Sequence, residues 1–563
     1  MYFDFLVKIP EIKGKITFKM KGNSEYVSYE IGRVYDKEKQ YNVPKRVIIG
    51  KRSQADKSMM EPNENFKKQF PEIELPEEKF DSSRSSCLRI GAYIVINTLL
   101  RETGIPEMIG RYFSKKDQLF FLDLVAYTLI CENNAGQYYP DYAYNHPLFT
   151  EKMKIYSDSK VSDFLGHVTD DHSVGFLNSW NESRDHREKI YISYDSTNKN
   201  CQAGDIEMVE YGKPKVDIGK PIFNYSIAYD THNREPLFYE KYPGSINDIS
   251  QLQFMLDKAV GYGYRRVGFI LDRGYFGKDN IEFMDRCGYD FVIMVKGMAS
   301  FVQELILRNR GQFEEKRECY IRNHQLYGTT ITKKLYVTDK KERYFHLFHS
   351  VGKEHGEKDE FERKLTGLSK MLKKMECTKY SPTDSVKKYF NCEIDKDGVF
   401  VFARENAEAI EKDLKLCGYF VIVTSQKMTA EEAIDLYYSR DASEKLFRGD
   451  KSYLGNKSLR VHSSESASAK IFVEFVALII RNRLYTKLKD ETERIDNRPN
   501  YMTVPAAIKE LEKIEMVRGL DRIYRLDHAV TATQKAILKA FGMDANYIRL
   551  KADEIAEKLM PGK

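Results

Sequence analysis

Two short apolar runs in this chain each end in an aspartate: Ile192-Ser193-Tyr194-Asp195 and Gly268-Phe269-Ile270-Leu271-Asp272. Runs of this length, with β-branched and aromatic residues, read as buried strands. Between them lie two more strand-like runs, 221–229 and 236–242, and a helical period over 248–260. A helix at 278–287 and a strand at 291–296 follow. Three strands, a helix, a strand, a helix and a strand make a mixed α/β sheet. In open sheets of this kind chemistry gathers beyond the strand ends, where the backbone leaves the core for solvent. Two carboxylates delivered there can hold a hard cation. One alone more often caps the next turn.

The flanks follow other periods. Residues 1–50 alternate as strands around the turn Lys21-Gly22-Asn23 and form a small β-rich module with many surface lysines. Residues 51–86, polar and carrying Pro62, Pro71 and Pro76, read as a linker. Over 87–187 the period becomes helical, as in 88–100, 119–130 and 161–180. That module suits recognition or a purely structural layer, and no helix-turn-helix signature marks a recognition helix in it. Residues 301–415 mix strands, charged turns and a basic helical stretch, and read as an insertion into the α/β domain. The domain spans 188–300 and 416–490, resuming with a strand at 418–424, a helix at 429–447 and a long apolar helix at 466–488. The tail, 491–563, is charged and helical. The net charge of +6 identifies no partner by itself. Between Arg363 and Lys388, however, eight basic residues face two acidic ones. Such a stretch either follows a phosphate backbone or forms a solvated helix face.

A third carboxylate comes from a sharper pattern. Tyr437, Arg440, Glu444 and Lys451 are spaced Y-x2-R-x3-E-x6-K. At about 100° per residue all four project within about 60° on one helix face, if the helix reaches Lys451. Gly449 makes that last step doubtful, and Lys451 then sits in the following loop. A glutamate flanked by cations suits phosphate chemistry, the acid on metal and the cations on phosphates. Alone, the spacing also fits a surface helix with ordinary ion pairs.

Taken together, Asp195, Asp272, Glu444 and this Tyr-Arg-Glu-Lys series resemble the DDE transposases of bacterial insertion sequences. The similarity is to the cut-and-paste branch defined by that signature. Leu271-Asp272-Arg273-Gly274-Tyr275-Phe276 resembles the segment around that family's second aspartate. The resemblance covers roughly residues 85 to 490. It implies an α/β fold, an RNase H-like mixed-sheet catalytic core with a β-rich insertion; the small β module precedes it outside the resemblance, and the helical module before the core is the candidate DNA-binding module. It also implies metal-dependent cleavage at transposon ends and transfer of the 3′-OH ends into target DNA. Asp195, Asp272 and Glu444 would hold two Mg²⁺ (or Mn²⁺) ions, since three converging carboxylates repel unless cations neutralise them. Tyr437, Arg440 and Lys451 would contact DNA, with Arg273 a further candidate. The expected partners are the terminal inverted repeats, target DNA and a second copy of the chain on paired ends.

Other readings fit less well. A catalytically silent, transposase-derived DNA-binding protein would not need all three carboxylates. An RNase H-fold nuclease would cut without joining. A tyrosine recombinase would attack with Tyr437 or Tyr438, but the supporting Arg/His constellation is missing. An aspartyl-phosphate phosphatase would want Asp-x-Asp where Asp195-Ser196-Thr197 stands. The eight cysteines contain no C-x-x-C pair, which leaves zinc and disulfide frameworks unsupported. His346 and His349 form an isolated H-x-x-H that reads as a packing pair. No apolar run reaches the roughly 18 residues of a membrane span, and Glu474 interrupts the longest, so no membrane role is expected. The N-terminus lacks the basic start of a signal peptide. The expected location is the bacterial cytosol, beside the nucleoid.

Overall fold

The structure, a computed structural model, describes residues 2–560 apart from positions 4, 23, 38, 55, 74–83, 185–188, 202–205, 207, 212–219, 247, 296–298, 340, 442–443, 446–458, 460, 462, 495–501 and 520. It divides into two units. One comprises Met1–Val95, Pro140–Ile155 and Ala507–Lys563, the other Ile96–Tyr139 and Tyr156–Ala506.

The early part of the larger unit includes helices α1 (Lys115–Cys131), α2 (Asp158–His167) and α3 (Asp170–Glu182). Ser114 and Ser157 cap the first two with side-chain oxygens, and Thr169 with His172 forms a reciprocal box that starts the third. The sequence reading ran 161–180 as one helix. Val168 and Thr169 are extended instead, and the Thr169 cap restarts the ladder. Next come β1 (Ile190–Asn200), β2 (Ile222–Asp230), β3 (Glu235–Pro243), α4 (Asp248–Gly261), β4 (Val267–Leu271), α5 (Lys278–Cys287) and β5 (Asp290–Met294). β1, β2 and β3 form an antiparallel meander. β4 lies parallel to β1, and β5 parallel to β4. The order β3-β2-β1-β4-β5 is the RNase H-like arrangement.

The sheet continues past β5. Strands β6 (Tyr320–Ile321), β7 (Leu326–Lys333) and β8 (Arg343–His349) come from the inserted segment, and β9 (Tyr419–Thr424) follows it. The full order is β6-β7-β8-β9-β5-β4-β1-β2-β3. The inserted segment thus extends the core sheet, with β9 wedged antiparallel between β8 and β5. Its remainder includes helix α6 (Val351–Met375), two short helices (Asp384–Tyr389 and Ala407–Leu414) and a two-stranded hairpin around a small core of Leu365, Leu372, Val386, Tyr389, Phe390, Phe400 and Ile410. The basic stretch falls here. Leu365 and Leu372 face that core, while Arg363, Lys370, Lys373 and Lys374 are exposed.

Helix α7 (Ala430–Ser439) starts at a Thr429–Glu432 capping box and lays Ile434 and Tyr437 on the sheet beside Ile270, Val292 and Ile422. Helix α8 (Ser464–Arg494) is buried over most of its first half. Phe121 of α1 and Phe176 of α3 pack on its Phe472, with ring centroids 4.8 and 5.4 Å apart. The helices before the sheet therefore spend their apolar faces on the core. Glu474 is almost fully buried in α8 and pairs with the equally buried Lys199 of β1 at 2.7 Å. The Asn134 amide donates to its other oxygen at 3.0 Å. A carboxylate inside an apolar helix is tolerable because both oxygens are satisfied.

His346 and His349 belong to strand β8, where an odd spacing sends side chains to opposite faces. His346 lies between Thr330 (2.9 Å) and Thr424 (3.0 Å), and His349 meets Glu354 (2.9 Å). No helix among the described residues is long and apolar enough to cross a membrane.

The smaller unit holds a five-stranded antiparallel sheet in the order Val7–Lys8, Met59–Pro62, Tyr41–Arg52, Ser24–Asp36, Ile16–Lys21. Helix Glu64–Gln69, capped by Asn63, closes its core of Val27, Ile49, Met60, Phe66 and Phe70. The stretch read as a linker thus carries a strand and this helix. The tail is not all helix either. Glu515–Arg518 pairs with Tyr524–Leu526 and with Cys87–Arg89. Met516 and Leu88 are both buried, and apolar runs this short give too few residues to reveal a strand period.

Candidate active site

Register is what joins the two aspartates. β4 pairs in parallel with β1 so that Leu271 opposes Tyr194. Asp195 is the next residue of β1, and Asp272 follows the last residue of β4, just past the final paired position of the two adjacent strands. Asp195 does not end its strand, as the sequence suggested. β1 runs on to Asn200 because β2 pairs with it as far as Ile222, opposite Asn200, with Asp195 opposite Ile227. The strand that stops is β4, and its end opens the space beside Asp195. The Asp195 backbone is described and its side chain is not.

The turn after Asp272 is fixed locally. The Arg273 N–H donates to Asp272 Oδ1 at 2.7 Å, and the Tyr275 N–H to the Asp272 carbonyl at 2.9 Å. Tyr275 packs on Tyr194, with centroids 5.3 Å apart, which ties the two aspartate-bearing segments together. The Arg273 side chain is exposed.

The third carboxylate arrives from α7. Tyr437 is buried on the sheet. Arg440 caps the helix, and the Glu444 N–H donates to the Arg440 carbonyl at 3.2 Å, so helical spacing carries on to Glu444. The Arg440 guanidinium bonds Asp272 Oδ1 at 3.1 Å with one nitrogen and Glu444 Oε1 with another. Its charge lies 5.2 Å from the centre of the Tyr437 ring. Tyr437, Arg440 and Glu444 thus share one face, and Arg440 draws together carboxylates 172 positions apart in sequence. Lys451 lies outside the described residues. Burial pushes the Tyr437 hydroxyl up to about 12.

Oxygen donors converging on one cationic centre are what a hard divalent cation takes, so the donor set fits such an ion. Among the described residues no group of three His, Cys, Asp or Glu side chains forms a metal site. The missing member of the expected set is the Asp195 carboxylate.

Sequence reasoning assigned Arg440 to DNA and overlooked its pairing with both acids. It also missed Lys199 and Asn134, which satisfy Glu474 beside the Asp195 strand. The signal for them was Glu474 itself, a lone acid in an apolar helix.

The family profile of the transposase DDE domain matches residues 190–480, just over half of the 563-residue chain. The chain belongs to the transposase DDE domain family. The matched DDE domain runs from the first residue of β1 into α8 and includes all three candidate carboxylates. No curated protein matches the chain. Similar solved structures include a piggyBac transposase synaptic complex with hairpin DNA, 8% identical, covering 80% of this chain and 87% of that one at a TM-score of 0.32. Another is a Mos1 transposase paired-end complex with the left transposon end, 11% identical, covering 40% and 65% at 0.14. Both likenesses are remote, and the assignment rests on the family match.

Proposed function

We propose that this DDE-family protein is a DNA transposase that cuts at the ends of its own mobile element and joins the freed 3′-OH ends to target DNA. The observation that carries the proposal is the convergence of Asp272 and Glu444 on Arg440, beside the strand that bears Asp195. Asp195, Asp272 and Glu444 would hold the divalent cations, Mg²⁺ or Mn²⁺. Bound there, two such ions supply Lewis-acid activation of the attacking oxygen and of the leaving 3′ oxygen.

The remaining work belongs to the chain's own groups. The Arg273 amide fixes one Asp272 oxygen, so this carboxylate is oriented before substrate arrives. Arg440, only 14% exposed, neutralises two acids that would otherwise repel. Its planar fork is also matched to a phosphate. Tyr437 fixes the start of this helical face by burying its ring in the sheet. Lys451 and Arg273 are further candidates for phosphate contact. The partners are the terminal inverted repeats and target DNA, and two copies of the chain would act on paired ends in a bacterial cytosol.

The test mixes purified protein, a labelled fragment carrying the element's ends and a supercoiled target plasmid, in Mg²⁺ or EDTA. Cleavage and joining in Mg²⁺, falling by more than about 100-fold in Glu444→Gln, is the expected result. Activity that survives this substitution would show that the third carboxylate lies elsewhere. Binding of the ends without any cutting would mean a silent descendant, and cutting without joining a nuclease.

A further inference from the structure

The excess positive charge of this protein is not spread along it. Residues 1–52 hold twelve Lys/Arg against six Asp/Glu, an excess equal to the net +6 of the entire chain. The same segment builds an extended ribbon. Ile16–Lys21 pairs only with positions 24–29 of the long strand Ser24–Asp36. Met59–Pro62 pairs with Gly50, Lys51 and Arg52 of Tyr41–Arg52. Apart from the Glu30 N–H, which donates to the Lys15 carbonyl at 2.9 Å, residues 30–36 and 41–46 pair only with each other among the described residues, as two strands running out about 20 Å at 3.4 Å per residue. Ile31 is an extra residue between the pairs Glu30–Arg46 and Gly32–Lys45, a bulge that twists and re-aims the ribbon at its root.

Directly opposed residues share a face, so the register sorts the side chains. One face carries Arg33, Tyr35, Asn42 and Arg46, with Pro44 among them. The other carries Val34, Val43, Tyr41 and Lys45. Arg33 and Arg46 both reach the nearly buried Glu30 at its root, at 2.8 and 3.8 Å, and this anchor orients two guanidinium groups on a single face. Tyr35 and Tyr41 are each 58% exposed, and Val34 60%. Of these three, Tyr35 lies on the arginine-bearing face.

We propose that this ribbon docks in a groove of duplex DNA with the Arg33–Tyr35–Asn42–Arg46 face inward. The proposal rests on the DNA-transposase reading above and adds a contact surface to it, outside the DDE domain. The major groove, about 12 Å wide, admits a two-stranded ribbon. Arginine and asparagine are the side chains that bond guanine and adenine edges there, and the lysines meet flanking phosphates. A second copy of the chain is the poorer occupant. Pro44 lacks the N–H that strand addition needs, and Lys45 stands next to it, a combination that blunts an edge against pairing.

The test uses the full chain and a short fluorescein-labelled duplex of mixed sequence, with binding followed by anisotropy between about 50 and 200 mM salt. Arg33→Gln/Arg46→Gln should weaken binding by at least about tenfold. Because Glu30 would lose both partners, a second variant, Tyr35→Ala/Asn42→Ala, changes only exposed side chains and should also weaken binding with the circular dichroism unchanged. Wild-type affinity in both ribbon variants would overturn the proposal and leave the catalytic reading standing. So would a loss of self-association in place of DNA binding, seen by sedimentation. A wild-type protein that binds the duplex through the ribbon yet never cuts element ends would sink the transposase reading alone.

Discussion

Arg440 does for the two acids what a metal ion would do, and this sets what its replacements should cost. Arg440→Lys keeps the charge, but a compact ammonium cannot bond Asp272 and Glu444 in the two directions a guanidinium fork spans. Cleavage by Arg440→Lys should therefore fall nearly as far as by Arg440→Ala, measured with the same end fragment. A lysine variant close to wild type would reduce Arg440 to a generic counter-charge. His346 gives a separate residue-scale prediction. Burial pushes its imidazole down to about 4, while the unfolded chain takes up the proton near 6.5. The stability linked to a neutral ring is thus present above about pH 6.5 and is lost as pH falls from there toward 4. The loss should approach about 3 kcal/mol across that window. Urea melts at several pH values should show His346→Leu with a flatter acid limb than wild type.

At the scale of elements, the contact between β1 and β4 depends on a missing side chain. A Cβ on Gly268 would come within 2.3 Å of the Tyr191 ring across the parallel pair. Gly268→Val should cost about 1–3 kcal/mol by overpacking and should lower cleavage as well, because the same pairing aligns Asp272 with Asp195. Unchanged cleavage in a folded Gly268→Val protein would mean that this register is not what brings the aspartates together. The strands and helices of this region were legible in the sequence, since each is short, apolar and bounded by turn residues. The point at which Asp195 sits was not. A strand that continues on its antiparallel side while its parallel neighbour stops leaves no mark in its own sequence. The capping box at Thr429 was visible as Thr429-x-x-Glu432, and the wheel put Tyr437, Arg440 and Glu444 on one side. No wheel could show that Arg440 would turn to Asp272, which is a tertiary contact.

Across the larger unit, the Lys199–Glu474 pair couples the strand of Asp195 to the longest helix, with Asn134 completing the bonds. Removing one partner leaves a buried charge, so Glu474→Leu should destabilise by about 3–5 kcal/mol. The double variant Lys199→Met/Glu474→Leu should recover most of that in denaturant melts, because neither charge is then stranded. A double variant as unstable as the single would mean that packing, not charge, is at stake. Whole-molecule organisation was the least legible level in the sequence. The 301–415 segment has the charge content of an appended domain, yet β7 and β8 enter the main sheet, since pairing partners are chosen by strand edges that only the assembled sheet presents. The position of β9 also sets an order in time. The ribosome delivers β6, β7 and β8 before the strand that welds them to β5, and Glu444 emerges later still. If the proposed site is the catalytic one, a nascent chain holding both aspartates is not yet a nuclease, and fragments that stop upstream of residue 444 would be unable to cut DNA.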